Sequence, residues 1–174
     1  MASIVIGSAA YFLATGDDSG TPELLDSTTE PGDVSAPGIA EPGDPAPDFR
    51  AETLTGGEVG LADFVGRPLV LNFWASWCEP CRREFPWLRS LAHGDDVAVL
   101  GVTFDDIASD SRRFAEDFDA DWPLAMDPTG EIARMFGVRA IPQTIFVDRN
   151  GTIRSRVYGL ASKVALDRHV DELR

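Results

Sequence analysis

Pro68-Leu-Val-Leu-Asn-Phe-Trp-Ala75, followed at once by Ser76-Trp77-Cys78-Glu79-Pro80-Cys81, decides how this chain is read. The first eight residues are a short apolar run bounded by Gly66 and Ser76, the pattern of a buried strand. Beyond Cys81 the periodicity changes. Arg82 to His93 places Phe85, Leu88 and Ala92 on one helical face and Arg82, Arg83 and Arg89 elsewhere. Cys78 and Cys81, the only cysteines in the chain, therefore stand where a strand ends and a helix begins.

Composition narrows what such a pair is for. With 174 residues and 44% apolar content, the chain can bury one domain and carry a tail. Its net charge of -14 is concentrated: nine acidic residues and no Lys or Arg lie between positions 15 and 48, which leaves -5 for the rest. The remainder is only mildly acidic, and no basic stripe points to nucleic acid. A Cys-x-x-Cys pair beside a strand and a helix reads as a redox motif. Zinc would need four ligands, and the whole Cys/His inventory is Cys78, Cys81, His93 and His169, with neither histidine at a zinc-finger spacing. A disulfide closing so small a loop restricts the unfolded chain little, so stabilisation is a poor reason for it.

The N-terminus has a different character. Residues 4 to 14 are apolar, but a membrane-spanning helix needs roughly 20 residues, and only Met-Ala-Ser precedes the run, without the basic start of a signal peptide. Three readings stand: the distal end of a membrane anchor, an atypical signal segment, or a buried segment. The anchor is preferred, because the next segment has the composition of a tether. Residues 15 to 46 are rich in Pro, Gly and acidic side chains and are expected to stay extended. An interaction tail for a basic partner is the alternative.

The folded domain is expected over 47–174. Phe49 to Leu54 and Glu58 to Leu61 read as two strands joined by a glycine turn, an added N-terminal β-hairpin. Val97 to Phe104 is a second continuous apolar run, suited to a strand covered on both faces. Ser109 to Phe118 comes next as a helix, Trp122 to Met126 as a short extended piece and Thr129 to Phe136 as a helix ending at Gly137. Gln143 to Val147 and Ile153 to Tyr158 are strands, joined at Asn150-Gly151 by a turn expected to be type I′. Ser162 caps a last helix to Leu173. Met126 and Met135 are read as core rather than as metal ligands.

Phe73-Trp74-Ala75-Ser76-Trp77-Cys78-Glu79-Pro80-Cys81, with Gly137-Val138-Arg139-Ala140-Ile141-Pro142-Gln143-Thr144 downstream, resembles the thioredoxin superfamily. More closely it is similar to the membrane-tethered TlpA, ResA and CcmG branch of extracytoplasmic thiol-disulfide oxidoreductases, and the resemblance covers residues 47 to 174 in order. It implies an α/β, thioredoxin-like fold, with a central mixed sheet flanked by helices. It also implies that Ile141-Pro142 is the family's cis-proline loop, facing the dithiol and holding a substrate backbone. Pro86, as in thioredoxins, is expected to kink the helix.

Physical chemistry gives each residue a role within that resemblance. A thiolate is the nucleophile in disulfide exchange, and a helix N-terminus favours negative charge. Cys78 is therefore the expected attacking thiol, and Cys81, a turn further in and more buried, the resolving one. Pro80 suits a first turn, where no intrahelical donor is lost. The buried aspartate of thioredoxin, six residues before the first cysteine, is here Asn72, whereas Glu84 stands where the tethered branch has a glutamate. Glu84 is read either as a proton relay to Cys81 or as a solvated glutamate paired with a neighbouring arginine. Trp74 continues the strand, and Trp77 covers the dithiol as an apolar docking surface. Trp77, Glu79, Pro80, Ile141 and Pro142 make up the expected substrate face.

The function expected from these features is disulfide exchange with protein substrates in the bacterial cell envelope, in the reducing direction. The Cys78/Cys81 disulfide is the expected redox group, with no separate cofactor or metal. The resemblance further implies apocytochrome c as a substrate, a membrane thiol carrier as electron donor and an N-terminal membrane anchor. The nearest rival is an oxidase that introduces disulfides; a copper-handling assembly module is another, although its usual spacing is Cys-x-x-x-Cys with histidine. A peroxidase would need a threonine-cysteine arrangement that residues 73 to 81 lack.

Overall fold

The computed structural model describes residues 39–173. The apolar segment at 1–14 and the tether up to residue 38 lie outside them. In chain order the elements are β1 (Arg50–Glu52), β2 (Glu58–Gly60), a 3-10 turn (Leu61–Phe64), β3 (Leu69–Trp74), α1 (Glu79–Ala92), β4 (Ala98–Thr103), α2 (Ala108–Asp117), β5 (Leu124–Ala125), α3 (Glu131–Met135), β6 (Gln143–Val147), β7 (Ile153–Tyr158) and α4 (Lys163–Asp171).

β3 lies at the middle of a five-stranded mixed sheet of order β5-β4-β3-β6-β7. It runs parallel to β4 and antiparallel to β6, with Asn72 opposite Thr144 and Phe73 opposite Gln143. All six of its residues are buried. The period-2 geometry of a strand sends them to opposite faces. Leu69, Leu71 and Phe73 join the cluster containing Ile132 and Ala133 of α3 and Phe49 and Val59 of the hairpin region. Val70 and Trp74 join the cluster formed by Phe85 and Leu88 of α1, Phe114 of α2, and Leu166 and Val170 of α4. Two covered faces explain why the run is apolar throughout rather than alternating. Asn72 is the polar exception, and it is 1% exposed.

The second face is unusually aromatic. Phe85 packs edge-on against Trp74 at 4.8 Å and Phe114 at 4.7 Å between ring centroids, with Trp122 at 5.4 Å. Interlocked rings of this kind stabilise beyond their area burial and fix α1 over the C-terminal end of β3. α1 runs without interruption through Pro86.

β1 and β2 pair antiparallel as a separate two-stranded sheet, the expected hairpin. Two other expectations are corrected. The domain does not begin at residue 47: Ala40 and Ala46 are buried, Gly43 N donates to Ile153 O at 2.8 Å and Ile153 N to Asp44 O at 2.9 Å. Arg156 donates to Ala40 O, and a Cβ at Gly137 would collide with Ile39. Residues 39–46 look like tether because they are rich in Pro and Gly, yet they pack where β7 supplies backbone partners. The turn at Asn150-Gly151 is also not type I′, which needs positive φ at both residues. Gly151 has φ +81 but Asn150 is not left-handed. Gly151 N donates to Asp148 O, and the Asp148 carboxylate accepts from the backbone N–H of Asn150 and of Thr152. This is a type I turn closed by a left-handed glycine, accompanied by a register shift between Phe146 and Val147.

Candidate active site

Cys78 is the N-cap of α1, in extended conformation, and it is disulfide-bonded to Cys81 with a Cα–Cα distance of 5.3 Å. The Cys81 backbone N–H donates to Cys78 Sγ at 3.2 Å. A helix N-terminus leaves its first N–H groups without intrahelical partners. Here a sulfur occupies the place of the usual capping oxygen, so a thiolate at Cys78 would meet both an N–H donor and the positive end of the helix dipole. Both sulfur-bearing residues are buried, Cys78 at 3% and Cys81 at 1% exposure. Pro80 lies within the first turn of α1, and Glu79, the first helical residue, is exposed.

Behind the disulfide lies a buried polar cluster. Cys81, Glu84, Phe85 and Leu88 form the buried stripe of α1, so Glu84 points into the protein with the apolar residues. Glu84 is 1% exposed, which rules out the solvated, arginine-paired alternative. One carboxylate oxygen accepts from the Ala161 backbone N–H, and the other from Asn72 Nδ2 across a long 3.4 Å. Asn72 Nδ2 also donates to Thr144 Oγ1 at 3.0 Å. Burial pushes the Glu84 carboxyl up to about 7, against the lowering effect of its bonds to Ala161 and Asn72.

In the loop that leads into β6, the Ile141–Pro142 peptide is cis. Pro142 is buried and its carbonyl accepts from Gly159 N at 2.8 Å, which ties the loop to the end of β7. Ile141 is half-buried and packs against both apolar clusters. Trp77 is 59% exposed, with its indole N–H donating to Asp105 O at 2.9 Å. Trp74, by contrast, is wholly buried.

Sequence reasoning missed the residues that hold these groups in place. Thr144 and Ala161 have no signal of their own, since each acts through a partner more than 70 residues away. Asp106 accepts from Ser76 N at 2.7 Å and Ser76 Oγ at 2.8 Å, joining the segment before Cys78 to the loop after β4. Among the described residues, no group of three or more His, Cys, Asp or Glu is placed to hold a metal ion.

A cysteine pair at a helix N-cap, on a central mixed sheet of this order and beside a proline loop, is the site of a thioredoxin-fold thiol-disulfide oxidoreductase. The chain belongs to the AhpC/TSA family, which it matches over residues 42–156. It is similar to the thiol-disulfide oxidoreductase ResA of Geobacillus thermodenitrificans, 31% identical over 135 residues that cover 76% of this chain and 78% of the relative. Thioredoxin-like protein YneN of Bacillus subtilis is 35% identical over 139 residues, covering 77% and 81%. Among solved structures, a Chlorobium tepidum protein described as a thiol:disulfide interchange protein DsbE superposes with a TM-score of 0.72 at 34% identity, over 77% of this chain and 98% of that one. The protein is a thiol-disulfide oxidoreductase of the ResA and DsbE type.

Proposed function

We propose that this protein reduces disulfides of protein substrates outside the cytoplasm, through Cys78 and Cys81. The observation that carries the reading is the placement of Cys78 as the N-cap of α1, with the Cys81 N–H 3.2 Å from its sulfur. In the reduced protein the Cys78 thiolate attacks one sulfur of the substrate disulfide. A Cys78–substrate bond forms, the substrate S–S bond breaks, and the departing sulfur takes a proton. Cys81 then loses its proton and attacks Cys78 Sγ, which closes the Cys78–Cys81 bond and releases the second substrate thiol. Two electrons pass from the protein dithiol to the substrate.

Glu84 is the acceptor assigned to the Cys81 proton. It lies one helical turn from Cys81 on the same buried stripe. A carboxyl pushed up to about 7 can take and return a proton near neutral pH. Trp77, Glu79, Pro80, Ile141 and Pro142 form the face on which substrate rests. The reducing direction, apocytochrome c as substrate, a membrane thiol carrier as donor and an N-terminal membrane anchor rest on the resemblance to the tethered branch. Among the described residues no helix is long and apolar enough to cross a membrane.

The midpoint potential of the Cys78/Cys81 pair, measured by equilibration with thiol buffers, tests the direction. A value near that of thioredoxin, about -270 mV, supports the reductase. One near that of DsbA, about -120 mV, replaces it with an oxidase.

A further inference from the structure

β7 closes one edge of the sheet, and the loop from α3 to the cis proline is held at both ends by β7 and the residue that follows it. At the exit of that loop, Gly159 N donates to Pro142 O at 2.8 Å. At its entrance, Arg156 Nη1 donates to Phe136 O at 2.7 Å. Between these points Val138 is buried, its N–H donating to Ala133 O at 2.7 Å, and Ile141 packs against both apolar clusters. The Arg156 guanidinium carries a second bond: Nη2 donates to Ala40 O, in the arm at 39–46. One side chain therefore bridges the arm and the start of the proline loop.

Two further features mark the bridge as built. Arginine ordinarily lays its stem along the surface and keeps its head in water, as Arg154 does on the same strand, exposed and 3.9 Å from Asp148. Arg156 instead turns inward, and its Nε is buried without a hydrogen-bond partner among the described residues, a cost that a head in solvent would not carry. The two carbonyls hold it there, and the planar fork of a guanidinium meets both at once. Beside this bridge, Ile39 fills the space over Gly137, which is left-handed at φ +65; any Cβ there would collide with the Ile39 side chain. The arm thus engages the loop where it begins, at Phe136 through Arg156 and at Gly137 through Ile39.

We propose that Arg156 is a positioning residue for substrate binding: by tying Ala40 O to Phe136 O it makes the arm at 39–46 part of the scaffold that presents Ile141 and Pro142 to a protein substrate. A loop bonded at its exit keeps one course only if its entrance is held as well, and Arg156 with the arm supplies that second hold. The proposal rests on the reading that Ile141 and Pro142 belong to the substrate face. It adds to that reading a control on recognition that leaves the thiol chemistry alone.

The test uses the full chain, reduced with dithiothreitol and desalted. It is mixed with an excess of either a disulfide-linked peptide dimer or hydroxyethyl disulfide, which has no peptide backbone to rest on Pro142. Each single turnover converts the protein dithiol to a disulfide and the added disulfide to two thiols, counted by acid quenching and mass spectrometry. Arg156→Leu is expected to raise the half-saturating peptide concentration about fivefold, the size of effect carried by a residue that acts on a site through its neighbours. The limiting rate and the rate with hydroxyethyl disulfide should move much less, and hydrogen exchange at 39–46 should quicken. Arg156→Lys, which can bond one carbonyl at a time, is expected to fall between Arg156→Leu and the wild type. Ile39 is 42% exposed, so Ile39→Ser keeps the test valid if Arg156→Leu does not fold, and it should shift peptide half-saturation the same way by a smaller factor. Faster exchange at 39–46 with unchanged peptide half-saturation, or equal slowing toward both disulfides, overturns the clamp. If Pro142→Ala also leaves peptide half-saturation unchanged, substrate does not rest on the proline loop, and the clamp falls with that reading. A wild type that reduces neither disulfide overturns the exchange reading itself.

Discussion

Two carboxylates bracket the same disulfide along the chain, Asp106 through its bonds to Ser76 ahead of Cys78 and Glu84 on α1 after Cys81, and they are treated in opposite ways. Behind it, Glu84 is buried with one backbone donor and one long bond from Asn72, and burial raises its pKa to about 7. Asp106, tied to the segment that enters Cys78, accepts four donors at 2.6 to 2.9 Å from three pieces of chain. A carboxylate given enough donors holds its neighbours in place, and one given too few in a dry site is biased toward holding a proton. The difference lies in the donors that the fold delivers, not in the functional group.

Substitutions on either side put that contrast at risk. The largest effect is expected at the disulfide between the two carboxylates: Cys78→Ser abolishes exchange, whereas Cys81→Ser traps a Cys78–substrate mixed disulfide visible by mass spectrometry. Exchange that persists in Cys78→Ser would remove the proposed chemistry from this site. Glu84→Gln comes next. A carboxyl whose value rises from an ordinary 4.5 to about 7 on folding holds extra protons in the native state. Its contribution to stability is therefore full below about 4.5 and is lost as pH rises through about 7. The wild type is expected to lose stability relative to Glu84→Gln across that window, by a few kcal/mol at most. Parallel urea midpoints for the two proteins from acid to neutral pH would show Glu84 to be an ordinary carboxylate. In the same variant the Cys81 thiol pKa should move, and an unchanged value ends the relay assignment.

At Asp106 the effects should be smaller and of another kind. Asp106→Ala leaves Ser76 and Ser111 without their shared acceptor and is expected to destabilise the fold by a few kcal/mol in urea unfolding, with the pH profile of exchange keeping the wild-type shape. A shifted profile would mean that Asp106 acts on the thiols, as Glu84 is proposed to do. Ser111→Ala removes one of the four bonds and should destabilise by about 1 kcal/mol, read from urea unfolding.

Much of this was legible in the chain itself. The switch from a continuous apolar run to a 3.6-residue period located β3, α1 and the cysteines between them, and glycine marked the hairpin at 49–61. Those signals survive because they are local. Local reading failed in two ways. Composition assigned residues 39–46 to the tether, although β7 recruits them through backbone bonds that any sequence can make. The Asn150-Gly151 pair suggested a two-residue turn, but the Asp148 side chain captures two backbone N–H groups and selects a longer one.

The sequence alone determined the strand-to-helix seam, the sulfur pair at its helix N-terminus and the placement of Glu84 one turn beyond. It could do so because periodicity, capping and spacing along one helix are short-range properties. Only the tertiary structure decided what Glu84 and Asp106 are. The register of β3 against β6 sets Asn72 opposite Thr144, 72 positions away, and aims its amide at Glu84. The parallel pairing of β3 with β4 brings Asp106 to Ser76, 30 positions away. Whether a carboxylate is short of donors or surrounded by them depends on which strands lie side by side, and no local pattern carries that information.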